Sequence, residues 1–396
     1  MPRFEPFRAL RYSPSIELAE VVAPPYDVVS REQRDRLASL SPQNIVHVDI
    51  PAGSEPSRYD EAAQTLAGWN TDGTLIRDTG PTFTISRMAF IDGLGRQRET
   101  SGILGALEVV DVGSPHVMPH ERTTPKDSTD RLDLTRATKA NLSPVWGLSL
   151  HSGLTELLAE PADVVGEVVM ADGVRHRFER VNDPARIAAV SSAVSAASVL
   201  IADGHHRYAI SRTYRDEVRS AGGPLAIAAE TVLTYVAELS EASLSVAAIH
   251  RVYSSPSTSS LLDHLSKWFE TAPAGPAHVD VLAEMQRRGS LCFVSPNGDA
   301  MWLTPRVGRF SSVRDLDSAR LELALDGTEP SVSYQHGFDE TMQRLRDGAS
   351  GAVLIRPVSV AEILRTANEG ALMPPKSTFF TPKLLTGPVI RELLPT

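Results

Sequence analysis

A short apolar strand that runs directly into five polar residues constrains this chain more than any other feature. Residues 198–202 (SVLIA) predict a buried strand, and the run DGHHR follows at 203–207. A helical pattern is predicted next, from Tyr208 to Ser220. Because α/β proteins place ligands at the carboxyl ends of their strands, this junction predicts a binding site in an α/β fold.

The residues of this junction suit an anion such as a phosphate. The helix N-terminus offers unpaired N–H groups and the positive end of the helix dipole. Gly204 permits close backbone approach, and His205, His206 and Arg207 add cationic or donating groups. Asp203 can hold a divalent ion or a hydroxyl. The alternative interpretation is a capped turn whose histidines lie on the surface.

A second candidate segment is the run PHERT at 119–123. It places the Glu121 carboxylate between His120 and Arg122. A desolvated carboxylate in this setting would act as a general base, whereas an exposed one would form a plain surface ion pair. The spacing alone favours neither interpretation.

A third candidate is the polar, proline-flanked segment MPPKSTFFTPK at 373–383. A lysine and two hydroxyls in a stiffened loop suit an anionic ligand, which makes Lys376, Ser377 and Thr378 candidate binding residues. A lone PKST is a weak pattern by itself.

Length and periodicity predict more than one domain. A chain of 396 residues predicts two or three domains. We expect three α/β units: an N-terminal unit at 1–105, a core at 106–245 with a β insertion near 151–185, and a C-terminal unit at 246–396. Within the first unit, the run IVHVDI at 45–50 predicts a strand.

Composition excludes several classes of protein. The net charge of −10 argues against broad nucleic-acid binding. The single cysteine, Cys292, lies in an apolar run and is expected to be a buried thiol, which fits a reducing cytoplasm. We find neither an apolar run long enough to span a bilayer nor a secretory signal, so we expect a cytoplasmic protein without a membrane partner.

Common catalytic motifs are missing from the sequence. It has neither a P-loop nor an HExxH motif. His205 and His206 are adjacent and diverge on a regular element, so they do not chelate one metal easily. A metal-dependent hydrolase would need further ligands such as His120 and Asp203.

The three motifs together resemble a large uncharacterised bacterial family. The resemblance rests on HERT…DRLDL…NLSP, then DGHHRY, then MPPKSTFFTPKL, and it extends to APPYDV and SPQNIVHV near the N-terminus. More distantly, PHE, DGHHR and PKST occur in the same order as similar segments of the free serine kinase of the ParB/sulfiredoxin superfamily. That likeness implies an α/β (α+β) fold with a ParB/sulfiredoxin-like core and added N-terminal and C-terminal α/β units.

The resemblance also implies a reaction, namely phosphoryl transfer from ATP or ADP to the hydroxyl of free L-serine or a similar metabolite. Glu121 would then be the catalytic carboxylate and Asp203 a second catalytic acid and Mg²⁺ ligand. Two groups of residues would complete the site: nucleotide phosphates would be bound by Gly204, His205, His206 and Arg207, and the acceptor by His120, Arg122, Lys376, Ser377 and Thr378.

Two departures from the kinase leave the substrate open. Glu121 and Asp203 are farther apart in this sequence, which fits the insertion at 151–185, and Phe379 and Phe380 stand where the kinase has Arg-His. A more apolar pocket would suit a different hydroxylated acceptor. The alternative is a nucleotide-binding regulator of the ParB type without kinase activity. The donor (ADP, ATP or CTP), the acceptor and a possible homodimer stay open.

Overall fold

The chain divides into two compact units. The computed structural model describes residues 1–92, 95–122, 129–223, 225–241, 244–254, 258–328 and 331–394. Unit 1 is formed by Met1–Ser245 together with Pro382–Thr396, and unit 2 is formed by Val246–Thr381. The final segment of the chain therefore belongs to the same unit as its first half.

Unit 1 combines a large sheet with mostly short helices. Its strands are β1 Phe4–Glu5, β2 Leu10–Tyr12, β3 Leu75–Arg77, β4 Phe83–Ile91, β5 Gln97–Glu108, β6 Val117–Pro119, β7 Ala140–Asn141, β8 Val145–Ser149, β9 Asp163–Val169, β10 Arg175–Val181, β11 Val199–Asp203, β12 Thr231–Glu238 and β21 Arg391–Glu392. Its helices are α1 Leu18–Val21, α2 Arg31–Leu40, α3 Val46–Asp49, α4 Ser57–Thr71, α5 Thr129–Thr138, α6 Leu154–Ala159, α7 Pro184–Val194, α8 His205–Ala221 and α9 Leu225–Ala229.

The large sheet positions the strands that carry the motifs. Its order is β6-β11-β8-β12-β5-β4-β10-β9, and β1 also pairs with β5. Strands β6 and β11 are parallel, whereas β8 and β11 are antiparallel. Fully buried apolar residues of β4, β5, β11 and β12 pack against α6 and α7 and form the core of the unit. Two smaller sheets pair β2 with β3 and β7 with β21.

Unit 2 contains a six-stranded sheet in the order β15-β17-β16-β19-β14-β18, with a two-stranded sheet of β13 and β20. Cys292 is fully buried in β16, as the sequence predicts, and burial raises the pKa of its thiol to about 12. The strands are β13 Ser245–Ala247 (which begins one residue before the unit), β14 Ile249–Ser254, β15 Phe269–Pro276, β16 Leu291–Val294, β17 Asp299–Pro305, β18 Ser331–His336, β19 Gly351–Leu354 and β20 Phe379–Thr381. The helices are α10 Thr258–Trp268, α11 Val281–Arg288, α12 Asp317–Ala324, α13 Phe338–Arg346 and α14 Val360–Asn368.

The mixed α/β class predicted from the sequence is confirmed. The division into three units stays a prediction; the large sheet takes strands from both sides of residue 105. Residues 163–181 form the β9–β10 hairpin, whose second strand joins the large sheet through β4. No helix in the described ranges is both long enough and apolar enough to cross a membrane.

The strand predicted at 45–50 is wrong, because this segment contains the helical turn α3. The Asn44 side chain accepts a hydrogen bond from the Val46 N–H at 3.1 Å and donates one to the Glu20 carbonyl at 2.7 Å. These local bonds start a helical turn and override the strand preference of a run rich in isoleucine and valine.

Candidate functional site

Parallel pairing of β6 and β11 brings the PHE and DGHHR segments to one edge of the large sheet. Ile201 lies opposite Pro119 in the register, so both strands deliver their polar residues at the same level. The imidazole Nδ1 of His120 lies 2.6 Å from the Ile201 carbonyl oxygen. A direct hydrogen bond therefore joins the second motif to the strand that leads into the DGHHR segment.

His120 is a buried, oriented imidazole beside a carboxylate. Because a carbonyl oxygen only accepts, Nδ1 must carry the proton in the bond to Ile201. The other ring nitrogen, Nε2, lies 3.6 Å from Oε2 of Glu121, and the ring lies 5.1 Å from that of His205. Burial lowers the pKa of His120, although Glu121 and Asp203 oppose this effect. His120 is therefore neutral at neutral pH.

Asp203 is the centre of a small ion-pair network. Its Oδ2 lies 3.3 Å from Lys383 Nζ and 3.3 Å from Arg207 Nη2. Burial alone would raise its pKa, but Lys383, Arg207 and His205 together hold the pKa of this carboxyl well below its usual range. Asp203 is therefore a charged carboxylate that fixes two cations.

Gly204 determines where the following helix begins. Its φ of +82° lies in the left-handed region, and a Cβ here would meet the Arg207 guanidinium carbon at 3.0 Å. Helix α8 therefore begins at His205, three residues before the predicted start at Tyr208. His205, His206 and Arg207 form its first turn, where N–H groups have no partner within the helix. Arg207 also donates to the Pro144 carbonyl.

Lys383 is a site residue that the sequence did not predict. Lys383 lies at the end of the MPPKSTFFTPK segment, but it belongs to unit 1 and contacts Asp203. Pairing between residues so far apart in sequence leaves no local pattern that would predict it. The sequence indicated a role for Lys383 only through its position in the third motif.

A pocket next to Arg207 was also missed. The pocket lies within unit 1 and combines charged, aromatic, polar and aliphatic side chains. Its lining comprises Tyr26, Asp49, Arg131, Leu134, Thr135, Ala140, Asn141, Leu142, Ser143, Arg207, Ile210, Ser211 and Val232. Several of these residues lie in or next to the APPYDV, SPQNIVHV, DRLDL and NLSP segments. The sequence signal was present in those segments, but no local pattern indicated that they meet.

The PKST loop lies in unit 2 and is held by internal hydrogen bonds. Ser377 is fully buried; its hydroxyl lies 2.7 Å from the Pro374 carbonyl oxygen and 2.8 Å from Ser318 Oγ. Lys376 has a φ of +56° and is exposed. Thr378 is 8% exposed. This geometry gives the Ser377 side chain a structural role in the loop, and ligand binding by all three residues stays a prediction.

The remaining residues of the second motif are placed as follows. Glu121 is half-buried, with its side chain 14% exposed, and Arg122 is exposed. Thr123 lies outside the described residues. Glu121 is thus in a partly desolvated setting next to His120, as a general base requires.

Direct Mg²⁺ ligation by Asp203 does not fit this arrangement. Its Oδ2 is shared between two cations, Lys383 and Arg207. Within the described ranges, no group of three or more His, Cys, Asp or Glu side chains is gathered closely enough to hold a metal ion. We therefore expect Asp203 to hold Lys383 and Arg207 rather than a metal ion.

Comparison with solved structures finds distant likenesses of similar strength. A conserved hypothetical protein from Pyrococcus furiosus is 10% identical, with a TM-score of 0.39 over 70% of this chain and 92% of that one. A free serine kinase in complex with AMP is 11% identical, with a TM-score of 0.39 over 70% and 88% of the two chains. SbnI from Staphylococcus aureus, truncated at its C-terminus, is 14% identical, with a TM-score of 0.39 over 72% and 85%.

These low scores and identities carry no argument about activity. No curated protein matches the sequence. The family described as "Protein of unknown function (DUF1015)" matches residues 4–319, and the chain belongs to that family.

Proposed function

We propose that this protein is a nucleotide-dependent kinase that phosphorylates the hydroxyl of a small metabolite, with L-serine as the first candidate acceptor. One observation carries the proposal: the β6–β11 pairing places Glu121 and His120 at the same sheet edge as Asp203 and the start of α8. A base and an anion-binding helix end are thus next to each other. Resemblance of the three motifs to those of free serine kinase supports the same function.

The first turn of α8 is the proposed phosphate site. The positive end of the helix dipole favours an anion there, and Asp203 holds Lys383 and Arg207 beside it. Both cations are therefore placed before a nucleotide arrives. Phosphoryl transfer depends mostly on such positioning and charge neutralisation.

Glu121 is the proposed general base. Its carboxylate takes the proton of the acceptor hydroxyl while the hydroxyl oxygen bonds to the terminal phosphorus of the nucleotide. The bond from that phosphorus to the bridging oxygen breaks, and the shortened nucleotide leaves with the electron pair. Mg²⁺ would enter with the nucleotide phosphates, since it usually takes only one or two protein carboxylates.

The test is phosphorus NMR of the protein with L-serine, Mg²⁺ and each of ATP, ADP and CTP in turn. We expect a phosphoserine signal with one of the three nucleotides. Glu121→Gln should slow its appearance about 100-fold or more, because general base catalysis contributes on that order. Glu108→Gln, a matched change of a partly exposed glutamate that pairs with Arg3, should leave the rate unchanged.

Other outcomes decide between this proposal and its alternative. Nucleotide that binds and stays intact with every acceptor tried would refute the kinase and favour a nucleotide-binding regulator. Phosphoserine formed equally fast by Glu121→Gln would keep the kinase and remove Glu121 as its base.

A further inference from the structure

The pocket beside Arg207 contains a buried carboxylate with an unsatisfied oxygen. Asp49, at the end of α3, lines the pocket and is 3% exposed. Its Oδ2 accepts no hydrogen bond from any described residue, while Oδ1 lies 3.4 Å from Arg131 Nη1. Buried acceptors without a donor are rare in folded proteins because each is costly. This one therefore indicates a donor that comes from a ligand.

Arg131 is held in place next to this carboxylate. Its Nε donates to Asp130 Oδ2 at 2.6 Å, its Nη1 donates to the Asp49 carbonyl, and its guanidinium lies 4.6 Å from the centre of the Tyr26 ring. Asp130 is itself fixed by the Tyr59 hydroxyl at 2.9 Å. The guanidinium is thus oriented in advance, as recognition of a carboxylate requires.

The cations near Asp49 do not fully compensate the burial of its carboxylate. Burial raises the pKa of Asp49, and the opposing effects of Arg131 and Arg207 do not outweigh it. An added cation next to Oδ2 would compensate the buried carboxylate, and an added anion would be attracted to the two guanidinium groups. A ligand with both charges side by side satisfies both requirements.

We propose that this pocket binds the head group of a free α-amino acid. The ligand's ammonium group donates to Asp49 Oδ2, and its carboxylate faces the guanidinium groups of Arg131 and Arg207. Arg207 also contacts Asp203, so the pocket adjoins the site at the start of α8. The acceptor of the reaction is then a free amino acid; this assignment rests on the proposed function.

Calorimetric titration of the full chain without nucleotide tests the inference. We expect L-serine and glycine to bind. Glycerate lacks the ammonium group and ethanolamine lacks the carboxylate, so each should bind at least about tenfold more weakly than L-serine. Asp49→Asn should weaken L-serine binding about tenfold or more. Asp133→Asn, on the partly exposed Arg136 pair of α5, is the matched control and should bind L-serine as the unmodified protein does.

The ligand series on the unmodified protein does not depend on any variant folding. L-serine that fails to bind, glycerate that binds as tightly as L-serine, or an Asp49→Asn protein that binds normally would each overturn the inference. Failure of the kinase proposal alone would give a different result: L-serine would bind through Asp49, but no phosphoserine would form. Conversely, phosphoserine formation with an unchanged KM in Asp49→Asn would retain the kinase and reject this pocket.

Discussion

Replacing Lys383 by methionine should destabilise unit 1 in a pH-dependent manner. Lys383 Nζ lies 3.3 Å from Asp203 Oδ2, and the two side chains are only 18% and 26% exposed. Hydrogen bonds to charged groups contribute about 1.5–3 kcal/mol, and removing one partner of a fully buried pair costs about 3–5 kcal/mol. Since this pair is partly exposed and Asp203 keeps Arg207, we expect a loss of about 1.5–3 kcal/mol in unfolding free energy near neutral pH.

The sign of the pH dependence follows from the lowered pKa of Asp203. A depressed folded-state pKa stabilises the protein above the ordinary value of 3.8, and that contribution is lost as the pH falls through the folded pKa. Lys383→Met removes the positive charge that lowers the pKa of Asp203 most, so the full loss of unfolding free energy is expected near neutral pH. It should shrink below about pH 4, where Asp203 of the unfolded chain is already protonated.

Urea denaturation followed by tryptophan fluorescence measures this effect. Trp146 lies opposite Asp203 in the β8–β11 register and is buried, so it reports on the region of the change. Lys267→Met replaces an exposed lysine at the end of α10 and should stay within about 0.5 kcal/mol of the unmodified protein. Two results would contradict this role of Lys383: a Lys383→Met protein as stable as the control, or a loss of stability that is the same at about pH 3 as near neutral pH.

Two further changes test other parts of the structure. Gly204→Ala should lower the free energy of unfolding by about 1–2 kcal/mol because of its positive φ, and by more because the new Cβ would approach Arg207 to 3.0 Å. Gly173 has the same φ of +82° but open space around it, so Gly173→Ala is the matched control. Equal losses for the two variants in denaturation would contradict a role for the Arg207 contact. His250 is buried with its pKa lowered to about 4, first by burial and then by Arg251 and His336. As the pH falls, His250 of the unfolded chain takes up its proton at a higher pH than His250 of the folded chain. His250 should therefore lower the free energy of unfolding by at most about 3 kcal/mol as the pH falls from its ordinary pKa of 6.5 to about 4. His250→Asn keeps an acceptor for the Ile355 N–H, which donates to Nδ1 at 3.3 Å, and should flatten this slope; an unchanged slope would be the contrary result.

Much of the candidate site could be predicted because its elements are encoded locally. The apolar run at 198–202 and the polar run after it are the strand β11 and the start of α8, since hydrophobic periodicity and its interruption are local signals. The exact start of α8 was not predictable from periodicity. It depends on the left-handed conformation of Gly204 and on the Arg207 side chain folding back over it.

The unpredicted parts of the site depend on contacts between distant segments. Lys383 reaches Asp203 only because the chain returns to unit 1 after Thr381. Asp49 lies in a segment rich in β-branched residues, where hydrogen bonds of the Asn44 side chain favour a helical turn over a strand. Ser377 looked like a ligand-binding hydroxyl, but its burial and its bond to Ser318 are set by tertiary packing. Neither spacing nor propensity contains such information.

The return of the chain to unit 1 has a consequence for synthesis. The segment that follows unit 2 in the chain supplies Lys383 beside Asp203, so all of unit 2 must be made before that cation is available. During translation, the sheet edge with Glu121 and Asp203 can form early, but Asp203 gains its second cation only after unit 2 has been made. A nascent chain that has not yet passed Thr381 would therefore present the proposed phosphate site without Lys383.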